Sequence, residues 1–161
     1  MLNDAKSGSK GGHSLSYSDK PVSESYVLDL LNVAVWAPND GMREPWRFIY
    51  IGSGSAGLMS GLQDQAPAYL VLVIKEDPDL HKREEDFGAA SCLMQNFRLL
   101  AREGGLHVRM TMNDWIYDGA YAGRLGVQKD ERIVSVLELG YIEPTFEPVA
   151  AGIPDFTFEL L

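Results

Sequence analysis

Cysteine is nearly absent: Cys92 is the single one in 161 residues. An internal disulfide is therefore excluded, and the chain suits a reducing, cytoplasmic setting. No apolar run reaches the roughly 18 residues of a membrane-spanning helix; the longest, "AYLVLVI", suits a buried strand. No basic-then-apolar stretch opens the N-terminus, so export is not expected. Positive charge is scarce, with 14 Lys and Arg against 23 Asp and Glu, for a net charge of −9. That balance argues against nucleic acid or an anionic membrane as the main partner. It leaves room for a phosphate-bearing small molecule, which needs only a local basic pocket. The three histidines, His13, His81 and His107, have no metal-ligand spacing. No Ser-His-Asp or Cys-His arrangement stands in a supporting context. The glycine-rich "GSGSAG" beginning at Gly52 lacks the Lys-Ser/Thr ending of a phosphate loop. There are no internal repeats.

What remains is an ordinary globular composition, 45% hydrophobic and 23% charged, long enough for one domain with a real core. Residues 1–16 are rich in Gly, Ser and Lys and read as a flexible leader; 17–161 read as a single domain. "VSESYVLDLLNVAVWAP" predicts a helix capped by Ser23, with Val22 and Val27 as a staple, and Pro38 ends it. "WRFIYIG" reads as a strand and "AYLVLVIKE" as a buried one. Between them, "SGSAGLMSGLQDQAP" has only a weak helical pattern. "HKREEDFGAASCLMQNFRLLAREGG" predicts a long helix, with Glu84, Glu85 and Asp86 assigned to dipole and capping duty and Cys92 to core packing. "LHVRMTM" reads as a strand, "WIYDGAYAGRLG" as a short helix and "RIVSVLELGYIE" as a last strand. After Pro144 the chain reads as an irregular extension. This order fits either a doubly wound parallel sheet or an α+β layer fold, and periodicity does not choose between them.

Four segments in the right order carry a resemblance. "DKPVSESYVLDLLNVAVWAPNDGMREPWRFIYIG" resembles the N-terminal helix, loop and strand of the nitroreductase family, with its "APS-x-x-N-x-QPW-x-F" pattern. "APAYLVLVIKEDPDLHKREEDFGAASCLMQNFRLLAREGGL" is similar to that family's second strand and central helix with its "QN" pair. "GLHVRMTMN" corresponds to "GLGxxWxT", and "NDWIYDGAYAGRLGVQKDERIVSVLELGYIE" to the late segment ending in "GY". The resemblance implies an α+β, three-layer fold, with a mixed, mainly antiparallel sheet flanked by helices, in an intertwined homodimer. It also implies FMN as cofactor, NAD(P)H as co-substrate and a nitro-aromatic, quinone or related electron acceptor. The positions it assigns to the flavin are Asn39, Met42, Glu44, Pro45, Trp46 and Thr111, as binders; no catalytic acid or base is identifiable. Adjacent apolar pairs on the long helix, Leu93 with Met94 and Leu99 with Leu100, agree with cover from a second copy.

The sequence also departs from the family pattern. The arginine positions of its "R-R-S-x-R" cluster fall on Gly11, Gly12 and Leu15. The segment "PTFEPVAAGIPDFTFELL" has no basic residue, where the family places another phosphate-binding cation. His107 replaces a glycine, Met110 a tryptophan, and the segment between the first two strands is short. Phosphate binding ordinarily takes arginine forks or converging N–H groups. Arg43, Arg47, Arg109, Arg124 and Lys20 are the basic residues left to compensate. Arg109 draws most attention, although alternation along its strand was expected to turn it away from Thr111. Two readings therefore stand: an FMN-dependent oxidoreductase, or a nitroreductase-fold homodimer that has lost tight FMN binding and serves as a ligand-binding or interaction module.

Overall fold

A computed structural model describes residues 16–63, 65–143 and 157–160. Nearly all of the leader 1–16 and most of the segment after Pro144 lie outside the described residues. The first element is α1 (Glu24–Ala34), started by Ser23, whose Oγ accepts the Tyr26 N–H. A one-turn 3-10 segment at 40–42 leads into β1 (Trp46–Ile51). Two glycines and two serines prevent a regular helix at 53–59, which is a 3-10 segment. β2 (Ala68–Lys75), α2 (Leu80–Glu103) and β3 (His107–Thr111) follow. A 3-10 turn at 114–117 precedes the short α3 (Gly119–Arg124), and β4 (Glu131–Gly140) closes the order.

The sheet runs β1-β2-β4-β3, and each of its three pairings is antiparallel. This rules out the doubly wound parallel alternative and fixes the α+β reading. Two apolar clusters lie on opposite faces. One joins α1 and α2 to alternate residues of β2, with Val27, Leu31, Leu93, Phe97, Leu70 and Leu72 among its members. The other joins Val71, Val73, Ile133 and Val136 to Met59, Ile116 and Leu125 of the 3-10 and α3 layer. The result is three layers, and it explains why "AYLVLVI" is apolar throughout: β2 is central and covered on both sides. A bulge between Leu72 and Val73 lets β4 carry the extra Val134.

Three expectations for α2 need correction. Cys92 is exposed on the outer side of the helix, not packed in the core. The N-cap is Asp79, whose carboxylate accepts the His81 N–H. With the helix starting at Leu80, Glu84, Glu85 and Asp86 lie beyond its first turn and have other work. Asp86, 6% exposed, pairs with Arg43 at 2.7 Å, and Glu85 meets Arg43 and His81. Leu93, Met94 and Phe97 are all buried within one chain, whereas Leu99 is left 52% exposed.

At the far end of β4, Gly140 is pressed between two neighbours. A Cβ there would stand 2.3 Å from the Tyr17 ring and 2.9 Å from Pro67. Gly140→Ala is expected to cost about 1–3 kcal/mol through overpacking, read as a lowered urea midpoint at unchanged slope. A second expectation concerns the Arg47–Glu131 pair, 2.5 Å long. The hydrogen bond from Arg47, opposed by partial burial and assisted by the Gln128 N–H, holds the Glu131 carboxyl below the ordinary carboxylate range. A depressed value means that the pair's contribution is present at neutral pH and is lost as pH falls through that depressed value. Glu131→Gln should therefore lower stability at pH 7, and unfolding curves taken at decreasing pH should show the gap closing.

Candidate functional site

Asn39, Met42, Glu44, Pro45 and Trp46 form one continuous corner between α1 and β1. The corner is held by its own polar groups. Asn39 Oδ1 accepts the Glu44 N–H at 3.1 Å, and its Nδ2 donates to the Ala37 carbonyl at 3.2 Å. Inside that clasp the backbone turns left-handed at Gly41, Met42 and Glu44, with φ of 58°, 50° and 46°. Met42 and Glu44 are the two non-glycine residues with positive φ among those described. Such conformations are costly and persist only where surroundings enforce them. Arg43 supplies that enforcement, since its guanidinium reaches Asp40 and the buried Asp86 of α2, each at 2.7 Å. Hydrogen bonding to Asp86 raises the Arg43 pKa further above its already high value. The Met42 side chain is left 72% exposed, and that of Trp36, just past α1, 79%. Pro45 is half-buried and accepts the Lys75 N–H, and the Trp46 ring packs on the α1–α2 cluster.

Thr111 lies elsewhere. It ends β3, the opposite edge strand, and faces the 3-10 layer. Three strand spacings of about 4.8 Å separate the two edges, so the corner and Thr111 of one chain stand roughly 14 Å apart or more. Arg109 and Thr111, two residues apart, point to the same face, because β3 pairs Arg109 with Glu138 and Thr111 with Val136. The expectation that alternation turns Arg109 from Thr111 is thus overturned; Met110 is the residue that faces the other way.

Around Thr111 is a cavity of about 440 Å³ lined by Gly61, Gln63, Arg109, Asn113 and Glu138. Its floor is the Glu138 carboxylate, fully buried in β4. A buried carboxylate requires charge and hydrogen-bond partners, and here it has three. Arg109 donates two parallel bonds, Nε to Oε2 at 2.6 Å and Nη2 to Oε1 at 2.8 Å. Gln63 Nε2 donates to Oε1 at 2.7 Å, and the Tyr17 hydroxyl donates to Oε2 at 3.2 Å. Burial, followed by the Glu138 charge, pushes the Tyr17 pKa well above that of a free phenol, so its proton stays in place. Gln63 also donates to Thr111, and its carbonyl accepts from Asn113 and Trp115. Next to this group, burial and then the charge of Arg109 lower the His107 pKa, which keeps the ring neutral at pH 7. Glu138 and Gln63 were missed from the sequence. An acid inside the otherwise apolar "RIVSVLELG" was a usable signal for Glu138; Gln63 sits in a segment without periodicity and offered none. Among the described residues no cluster of His, Cys, Asp or Glu could hold a metal ion, and no helix is long and apolar enough to cross a membrane.

No family model matches the sequence. Among curated proteins, the chain is 32% identical over 149 residues to YfhC of Bacillus subtilis (strain 168), whose assigned name is that of an NAD(P)H nitroreductase. The match covers 78% of this chain and 77% of that protein. The chain belongs to the nitroreductase family. Among solved structures, the nitroreductase-like family protein of Bacillus cereus is 28% identical, covers 87% of this chain and 86% of its own, and superposes with a TM-score of 0.77. A nitroreductase of Desulfovibrio desulfuricans whose structure holds FMN shares the fold at a TM-score of 0.68, with 18% identity and coverage of 89% and 90%. For a nitroreductase-family chain the general activity is that of a flavin oxidoreductase, and the three-layer α+β fold described above is the family's own.

Removing one partner of the Arg109–Glu138 pair is expected to have unequal consequences. Arg109→Met leaves a carboxylate buried without its cation and should cost about 3 kcal/mol or more. Glu138→Gln keeps the shape and several of the hydrogen bonds and should cost about 1 kcal/mol. Urea unfolding compares the two; equal losses would contradict the role given to the buried charge.

Proposed function

We propose that the protein is an FMN-dependent oxidoreductase that uses NAD(P)H to reduce nitro-aromatic, quinone or related small acceptors, and that it works as a homodimer. The observation that carries this reading is the division of the site. Each chain has a clasped, exposed corner at one sheet edge and an open polar cavity at the other. Neither half is a complete crevice, and a twofold axis joins the corner of one copy to the cavity of the other, giving two equivalent sites. The exposed Leu99, Trp36 and Met42 provide apolar surface for such a contact.

The donor set fits a flavin's ring and polyol. Asn113 and Thr111 offer amide and hydroxyl groups around the cavity, held in place by Gln63. The corner offers backbone groups in the unusual orientation set by Met42 and Glu44. FMN held there would supply the electron-carrying chemistry between NAD(P)H and the acceptor. The chain's own part would be to hold the group through Thr111 and the corner backbone, with the exposed Met42 side chain beside the corner. Arg43 and Asn39 keep the corner in its left-handed form, and no side chain is assigned a proton transfer.

Purified protein should be yellow, or become so on incubation with FMN, and denaturation should release the flavin absorbance. A protein that stays colourless after excess FMN and dialysis would favour the ligand-binding or interaction reading, which the fully paired Arg109 otherwise recommends. A mixing test checks the shared site. Met42→Arg damages the corner and Thr111→Trp the cavity, so each variant alone should bind little flavin. Co-refolded in equal amounts, they should regain roughly a quarter of the sites, because half the dimers are mixed and each mixed dimer has one intact site. No recovery would mean that corner and cavity do not share a ligand.

A further inference from the structure

Among the described residues, the cavity around Thr111 has one cation at its wall, Arg109, and one anion at its floor, Glu138, and the two are bonded to each other. Recognition of a phosphate depends on a guanidinium edge offering two parallel N–H groups, or on several backbone N–H groups converging. In Arg109 the Nε–Nη2 edge is already committed to Glu138, with bonds of 2.6 and 2.8 Å to a carboxylate that is fully buried. A dianion drawn to that guanidinium would also approach the Glu138 charge, which no water screens. Among the described residues, the remaining groups that line or flank the cavity are uncharged: Gln63, Thr111, Asn113 and the Tyr17 phenol. His107, half-buried against Tyr17, has its pKa lowered and adds no charge at neutral pH. No helix begins at the cavity wall; Gln63 belongs to an irregular turn and Arg109 and Thr111 to a strand. The sequence agrees, since residues 144–161 contain no Lys or Arg.

We propose that the cavity is a neutral, polyol-binding site that takes a flavin by its ring and hydroxyl chain and does not select for the terminal phosphate. Riboflavin is then bound as well as FMN. This rests on the flavin reading given above. The Arg109–Glu138 pair serves the cavity as an internal dipole that orders Gln63, and Gln63 in turn fixes the Thr111 hydroxyl and the Asn113 amide that face an uncharged ligand. Selectivity for the phosphorylated form is absent because the cation that would confer it is neutralised from below.

Fluorescence quenching of riboflavin and of FMN by the full-length protein, confirmed by equilibrium dialysis, gives the two dissociation constants without any turnover. They are expected to agree within about threefold. The FMN constant should also stay nearly level as salt rises from about 0.05 to about 0.5 M, since little charge pairing with the ligand is there to be screened. FMN binding tenfold or more tighter than riboflavin, with a steep salt dependence, overturns the proposal while leaving the oxidoreductase reading intact. Binding of neither flavin overturns both. The Glu138→Gln variant, shown to be folded by circular dichroism, supplies the reverse test. With the buried negative charge removed, the cavity floor no longer repels a dianion, and an FMN preference of about tenfold or more should appear. A ratio that stays near one in the folded variant overturns the role assigned to Glu138.

Discussion

The constraint that organises this domain is the Glu138 carboxylate, placed in the interior of β4 where water does not reach it. A charge in that position destabilises the fold by several kcal/mol unless it is met by partners. Those partners come from three separate parts of the chain. Arg109 comes from β3, Gln63 from the irregular segment after β1, and Tyr17 from the stretch ahead of α1. Satisfying one carboxylate therefore fixes the edge strand, the β1–β2 connection and the N-terminal stretch relative to one another. The cavity beside Thr111 is what remains between the three.

A second ion pair plays a comparable part at the other edge. Arg43 ties a backbone that would otherwise relax to the buried Asp86, and Asn39 closes the same loop from inside. Left-handed geometry at Met42 and Glu44 carries a free-energy cost, and two independent restraints are aimed at it. In a nitroreductase-family chain this is the corner that joins the first helix to the sheet, and its rigidity keeps backbone groups in one arrangement while the side chains of Met42 and Trp36 stay uncovered. Polar restraint beneath and apolar surface above is a combination that suits contact with a second molecule.

Much of the local structure was legible in the sequence. Ser23 capped the first helix where expected, the apolar "AYLVLVI" was the doubly covered strand, and the long helix and last strand fell in place. Those features depend on residues close together in the chain. Features that depend on distant partners were not legible. Strand order and direction follow from pairings that periodicity does not encode. The "REED" acids looked like helix-start residues because the true cap, Asp79, lies five to seven positions earlier. Cys92 followed an apolar pattern yet faces outward, since the buried stripe runs through Ala89, Leu93 and Phe97 instead. For the site, the corner residues were found as a group through the family resemblance. The link between Thr111, Arg109, Gln63 and Glu138 needed the register of β3 on β4, which only the structure supplies.

The bridge between Tyr17 and Ile142 brings together residues from near the two ends of the domain. Contacts of such wide sequence separation require a large loop to close before they contribute anything, so they form late. During synthesis β1 and β2 can emerge and begin to pair, yet β3 has no neighbour until β4, which carries Glu138, has followed it. The cavity floor is thus completed only when β4 docks and Tyr17 packs against it. A ribosome-bound chain lacking those final residues would have neither the cavity floor nor the group that seals its rim.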